Sequence, residues 1–224
     1  MNENILYTFR RCPYAMRARW ALICANQSVI WREVSLKEKP VELLRVSPKA
    51  TVPVLITSEG EVIEESIQIM RWALEINDRT NILCKDDYNS QKKIEKFIQM
   101  NDGLFKYHLD RYKYPNRFLL CDRENHKKLA REILLEWNSI ILDNANSYWL
   151  VNGKESLADW AIWPFVRQYR IVDPISFDHE NALSGLRVWL SSYLNNSKFK
   201  TLMVKSKPWI YGEKKKYFPP ILTC

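Results

Sequence analysis

Residues 4–26 read NILYTFRRCPYAMRARWALICAN, and the succession of residue types along them decides the fold. "NILYTF" is a short apolar run with the length and composition of a strand. Pro13 then supplies the φ that suits a first helical position, and Met16, Trp20, Ile23 and Cys24 follow at helical spacing. The stretch is therefore a strand that passes through a short, arginine-rich turn into a helix, with Cys12 at the junction.

Working outward, "SVIWREVSL" (28–36) reads as a second strand and "PVELLRVSP" (40–48) as a short helix stopped by Pro48. Two further strands, "VPVLIT" (52–57) and "EVIEE" (61–65), flank the turn "SEGE", and Ser66–Asn77 is helical again. Strands separated by a helix pair in parallel, and closely spaced ones form a hairpin. The order β-α-β-α-β-β-α thus predicts an α/β, thioredoxin-like domain over residues 1–78. After the polar stretch "NDRTNILCKDD" the pattern changes to long helical segments, near 89–113, 124–146, 157–172 and 184–204, with no clear strands. An all-α second domain over residues 89–224 follows.

With 46% hydrophobic residues, the 224-residue chain has apolar surface enough for a globular core. Its 34 Lys and Arg against 26 Asp and Glu give a formal charge of +8, which favours anionic partners without choosing among them. No apolar run approaches the roughly 20 residues of a membrane span, and the first residues do not form a signal peptide, so a soluble, cytoplasmic protein is expected. Cys12, Cys24, Cys84, Cys121 and Cys224 never form a C-x-x-C pair, which argues against a disulfide framework and a zinc site. His108, His126 and His179 have no metal spacing, so no metal is expected. "GEKKKYFPP" (212–220) reads as a solvated basic tail, and nucleic acid is not an expected partner.

Cys12 sits where the free N–H groups and positive end of a helix would stabilise a thiolate, with Arg10, Arg11, Arg17 and Arg19 close in sequence. It is a candidate nucleophile; a small buried residue at a strand end is the alternative. Pro53, at the start of a strand, is either an edge-strand proline or a cis residue that turns Val52 toward an extended ligand. "EES" (64–66) brings carboxylates and a hydroxyl to a helix N-terminus, either as a plain cap or as a seat for an amino acid's charged ends. The aromatic segments 105–118 and 159–170 suit helical core or the wall of an acceptor pocket.

Taken together, "CPYAMRAR", "SLKEKP", "VPVL" and "EES", in this order and spacing, resemble the N-terminal domain of cytosolic glutathione transferases, most closely the cysteine-type, omega-like class. "SLADWAIWP" (156–164) is similar to that family's buried capping box, in which Ser156 and Asp159 satisfy each other's backbone N–H groups.

The resemblance implies a glutathione-dependent thiol transferase or reductase. Cys12 would form a mixed disulfide with glutathione as co-substrate, while the glutathione backbone pairs with Val52 before cis-Pro53. Glu65 and Ser66 would hold the γ-glutamyl end, and Lys39 the glycine carboxylate. A small thiol, disulfide or electrophile would be the acceptor, and a homodimer the assembly. Ala15, three residues after Cys12, rules out a resolving thiol there, and Met16 stands where many omega-like sequences carry a charge. A conventional conjugating transferase and a non-catalytic interaction protein on the same fold are the alternatives.

Overall fold

The computed structural model describes residues 3–144 and 147–220. The run Ile5–Thr8 is strand β1, with Leu6 and Tyr7 fully buried, and Pro13–Cys24 is helix α1. Strand β2 (Val29–Glu33) pairs with β1 in parallel, Ile5 opposite Ile30. After helix α2 (Val41–Val46), β3 (Val54–Ile56) runs antiparallel to β1 and forms a hairpin with β4 (Val62–Ile63). Helix α3 (Ser66–Ile76) packs beside α1. Met16, Ala18, Trp20 and Leu22 of α1 and Ile69, Met70 and Ala73 of α3 are all buried, so both helices spend apolar residues on one core. This is the expected thioredoxin-like arrangement.

Helix follows helix thereafter. Tyr88–Met100 (α4) continues through a π-helical turn, Asn101–Phe105, into α5 (Lys106–Lys113), and α6 (Arg123–Asp143), α7 (Leu157–Val172), α8 (Pro174–His179), α9 (Ser184–Leu194) and α10 (Ser197–Leu202) complete the set. Trp137, Trp163, Trp189, Phe105 and Tyr193 fill the core of this part, with Trp163 stacked on Tyr193 at 5.3 Å. Most aromatics of the segments 105–118 and 159–170 fall in that core, including Phe105, Tyr112, Trp160, Trp163, Phe165 and Tyr169. Tyr107 is an exception, half exposed under the Arg111 guanidinium.

The capping box forms as expected. Asp159 Oδ2 accepts from Ser156 N–H at 2.9 Å and from its hydroxyl at 2.8 Å, and the Ser156 side chain meets the Asp159 backbone in return. Asp159 Oδ1 accepts from Leu150 N–H and from Trp189 Nε1, both at 3.0 Å. One carboxylate thus ties together the start of α7, the preceding loop and α9. Burial pushes its pKa up to about 6, against the hydrogen bonds, which pull it down.

The chain divides into two compact units, Met1–Thr80 with Asn196–Cys224, and Asn81–Asn195. The sequence reading carries the helical domain on to residue 224, whereas the last segment belongs to the first unit and adds a strand. Tyr217–Phe218 (β5) pairs antiparallel with β2, Phe218 opposite Val29, which completes a five-stranded sheet ordered β4-β3-β1-β2-β5. Phe218 is fully buried, its ring edge-on to Trp31 at 5.6 Å. The expected helix 184–204 is likewise two helices, broken where Asn196 caps α10 by accepting from Lys198 N–H. Among the described residues, no helix is long and apolar enough to cross a membrane.

Candidate active site

Cys12 is the N-cap residue of α1, with Pro13 at the first helical position. Its backbone closes the β1–α1 turn, the N–H donating to Phe9 O at 3.1 Å and the C=O accepting from Met16 N–H at 2.8 Å. The side chain makes no capping bond to the helix. Instead the thiol donates to the carbonyl oxygen of Val52, at 3.6 Å. The helix end therefore acts on the sulfur through its field, and the sulfur's neighbour is the strand-side backbone. The Val52–Pro53 peptide is cis.

The four arginines separate into different roles. Arg11 is exposed and lies over the Phe9 ring. Arg17 is buried and donates from Nε to Ser66 Oγ at 3.0 Å, which ties α1 to the first residue of α3. Arg19, wholly buried, donates from Nη2 to the carbonyl oxygen of Arg10 at 2.7 Å and from Nε to Ala15 O at 3.3 Å. Its Nη1 is buried with no hydrogen-bond partner. The Arg10 N–H donates to Glu33 Oε1 at 2.7 Å. Glu33 is itself buried and also accepts from Trp31 Nε1 at 3.0 Å.

The peptide groups on either side of Arg10, just ahead of Cys12, are thus held by two buried groups of opposite charge. Burial draws the Arg19 pKa down to about 10, and the negative charges of Glu33 and of an ionised Cys12 draw it back up. Sequence reading counts these arginines only as positive charge near the thiol. Glu33, on β2, carries no signal in sequence that would link it to residue 10.

At the other end of the region, Ser66 is buried and begins α3, while Glu65 is its exposed N-cap and makes no capping bond. Glu65 Oε1 pairs with Lys49 Nζ at 3.6 Å, across open solvent. Its neighbour Glu64 accepts from Ser47 Oγ at 2.5 Å. Lys39 is exposed in the loop before α2. The structure therefore joins Cys12 to Val52 and, through Arg17, joins Ser66 to α1, whereas Glu65 turns to Lys49 and Lys39 stays in its exposed loop. Among the described residues no group of three or more His, Cys, Asp or Glu is arranged to hold a metal. His108 and His126 do meet, Nδ1 to Nδ1 at 2.8 Å, as a pair on neighbouring helices.

Comparisons with known proteins bear on this geometry. The family model for the glutathione S-transferase N-terminal domain matches residues 6–81. Glutathione S-transferase omega-1 of Sus scrofa is 23% identical over 211 residues, covering 90% of this chain and 81% of that protein. The omega-1 protein of Rattus norvegicus is 25% identical, with 86% of each chain covered. Omega-2 of Homo sapiens is 26% identical over 84% of this chain and 74% of its own length.

Among solved structures, a glutathione S-transferase from Rhodospirillum rubrum F11 superposes with a TM-score of 0.71 at 16% identity, over 95% of this chain and 96% of its own. One from Methylobacillus flagellatus KT, with glutathione bound, gives 0.73 at 19% identity, over 89% and 98%. Residues 6–81 thus match the glutathione S-transferase N-terminal domain, and the chain is similar in sequence to omega-class glutathione S-transferases and in fold to solved glutathione S-transferases.

Proposed function

We propose that the chain is a glutathione-dependent thiol transferase in which Cys12 is the nucleophile. The observation that carries this reading is the Cys12 Sγ contact with Val52 O, 3.6 Å, at the N-terminus of α1. It sets a sulfur beside the Val52 backbone, just ahead of β3, which in this reading pairs with an extended peptide ligand.

In this reading the Val52 backbone pairs with the cysteinyl residue of glutathione, with Pro53 next to it. Ser66 receives the γ-glutamyl carboxylate: because its oxygen already accepts from Arg17 Nε, its own proton is left for an incoming acceptor. Glu65 takes the ammonium, in exchange for its solvent-exposed pair with Lys49, and Lys39 takes the glycine carboxylate. The Cys12 thiolate attacks the glutathionyl sulfur of a mixed disulfide, that S–S bond breaks, and the acceptor leaves as a thiolate that takes a proton from solvent. A second glutathione thiolate attacks the Cys12–glutathione disulfide, releasing glutathione disulfide and restoring Cys12. Ala15 gives the protein no thiol of its own for that step.

A reducing, cytoplasmic compartment suits the thiolate chemistry of this reading, and a two-fold homodimer is the assembly we adopt. A panel of hydroxyethyl disulfide, dehydroascorbate, glutathionyl ketone and aryl chloride substrates tests the function. Reduction that disappears in Cys12→Ala supports it. Strong aryl chloride conjugation without reduction would make the protein a conventional conjugating transferase, and inactivity with no retention on immobilised glutathione would make it an interaction module.

A further inference from the structure

The C-terminal segment builds a basic recess on the first unit that the glutathione reading does not use. Trp31, Lys205, Ser206, Lys207, Lys215, Lys216, Tyr217 and Pro220 line a hollow of about 470 Å³, within the roughly 300–1,000 Å³ of small-ligand sites. Half of these residues are lysines. Their backbones are not those of a loose tail, because both lysine-bearing stretches are anchored on the same strand: Trp209 N–H donates to Glu33 O, and Trp31 N–H to Lys216 O, each at 2.7 Å. Two neighbouring positions of β2 thus hold the two walls.

The charges of the recess are only half balanced. Lys215 pairs with Glu3, and Lys216 with Glu213 at 3.0 Å. Lys205 and Lys207 are exposed and have no carboxylate partner among the described residues. Gathering four ammonium groups against two carboxylates leaves two positive charges in one concavity, a mutual repulsion that a bound anion relieves. Lysine ammoniums are compact point charges that suit phosphate oxygens. The buried floor of Trp31 and the side of Pro220 add apolar surface to a hollow that is open to solvent.

We propose that this recess binds a small diphosphate-bearing ligand, either free pyrophosphate or the diphosphate of a nucleotide, with Lys205 and Lys207 as the principal contacts. The proposal is independent of the Cys12 chemistry.

Isothermal calorimetry at low ionic strength tests it, with inorganic pyrophosphate and ADP as probes. Wild-type protein is expected to bind one equivalent of pyrophosphate. K205Q/K207Q should weaken binding at least about 10-fold, a loss of about 1.4 kcal/mol. K128Q/K154Q, which removes two exposed lysines of the other unit, should change it less than about 2-fold, the range of ordinary surface substitutions. E3Q should tighten binding, because Lys215 loses its carboxylate. Tighter binding of ADP than of pyrophosphate points to a nucleotide, equal binding to free pyrophosphate, and either supports the recess. No binding by wild type, equal losses in the two lysine pairs, or an oligoribonucleotide that outcompetes both probes would overturn the proposal.

Discussion

Cys12 Sγ lies 3.6 Å from the carbonyl oxygen of Val52, forty residues further along the chain. A thiolate has no proton to donate, so this contact belongs to the resting thiol. Ionisation of Cys12 releases the Val52 carbonyl, which can then accept from a ligand amide. In the proposed function, nucleophile and peptide-binding backbone are in this way one device.

If Ser66 and Lys39 hold opposite ends of glutathione, Ser66→Ala and Lys39→Ala should each weaken glutathione binding by about 1–3 kcal/mol, the range for charge-assisted hydrogen bonds. Calorimetry on folded protein measures it. Ser66→Ala also takes a partner from buried Arg17, so its unfolding free energy should fall as well, while Lys39→Ala, at an exposed site, should leave stability unchanged. Unchanged affinity in both variants would mean the ligand lies elsewhere.

Glu33 and Arg19 hold the two peptide groups flanking Arg10. Glu33→Gln removes the buried negative charge and leaves Arg19 without it, so stability should fall by about 1–3 kcal/mol in urea unfolding. A loss within error of zero would show that the clamp is idle.

Asp159 makes a pH prediction of definite sign. Its folded pKa is raised from 3.8 to about 6, so the folded protein holds a proton that the unfolded chain has already released between those values. The corresponding stability is present below about pH 4 and is lost as pH rises through about 6. Asp159→Asn cannot titrate, and the difference in unfolding free energy between wild type and variant should therefore shift against wild type over that interval. A difference constant from pH 4 to 7 would contradict it.

Much of this was readable because β1, α1, the β3–β4 hairpin and α3 each carry a full period of apolar residues, and because cysteine, proline and serine at element ends have few other uses. The strand β5 was not: two residues, Tyr217 and Phe218, have no period, and only the tertiary fit of Phe218 against Trp31 creates the strand. The π-helical turn at Asn101–Phe105 is hidden for the opposite reason, since it continues a helical pattern without a break. In the site, Cys12, Val52, Pro53 and Ser66 are legible from chemistry-bearing motifs. The links Arg17 to Ser66 and Glu33 to Arg10 join distant segments, and no motif or spacing in the sequence pairs these residues.

The proposed function requires Cys12 to become covalently joined to glutathione, which intact mass spectrometry after incubation with glutathione disulfide detects. Wild-type protein should gain the mass of one glutathionyl group, mapped to Cys12, and lose it on addition of reduced glutathione, while Cys12→Ser should gain none. No adduct on wild type, or an adduct on Cys24, Cys84 or Cys121 that survives in Cys12→Ser, would contradict the account.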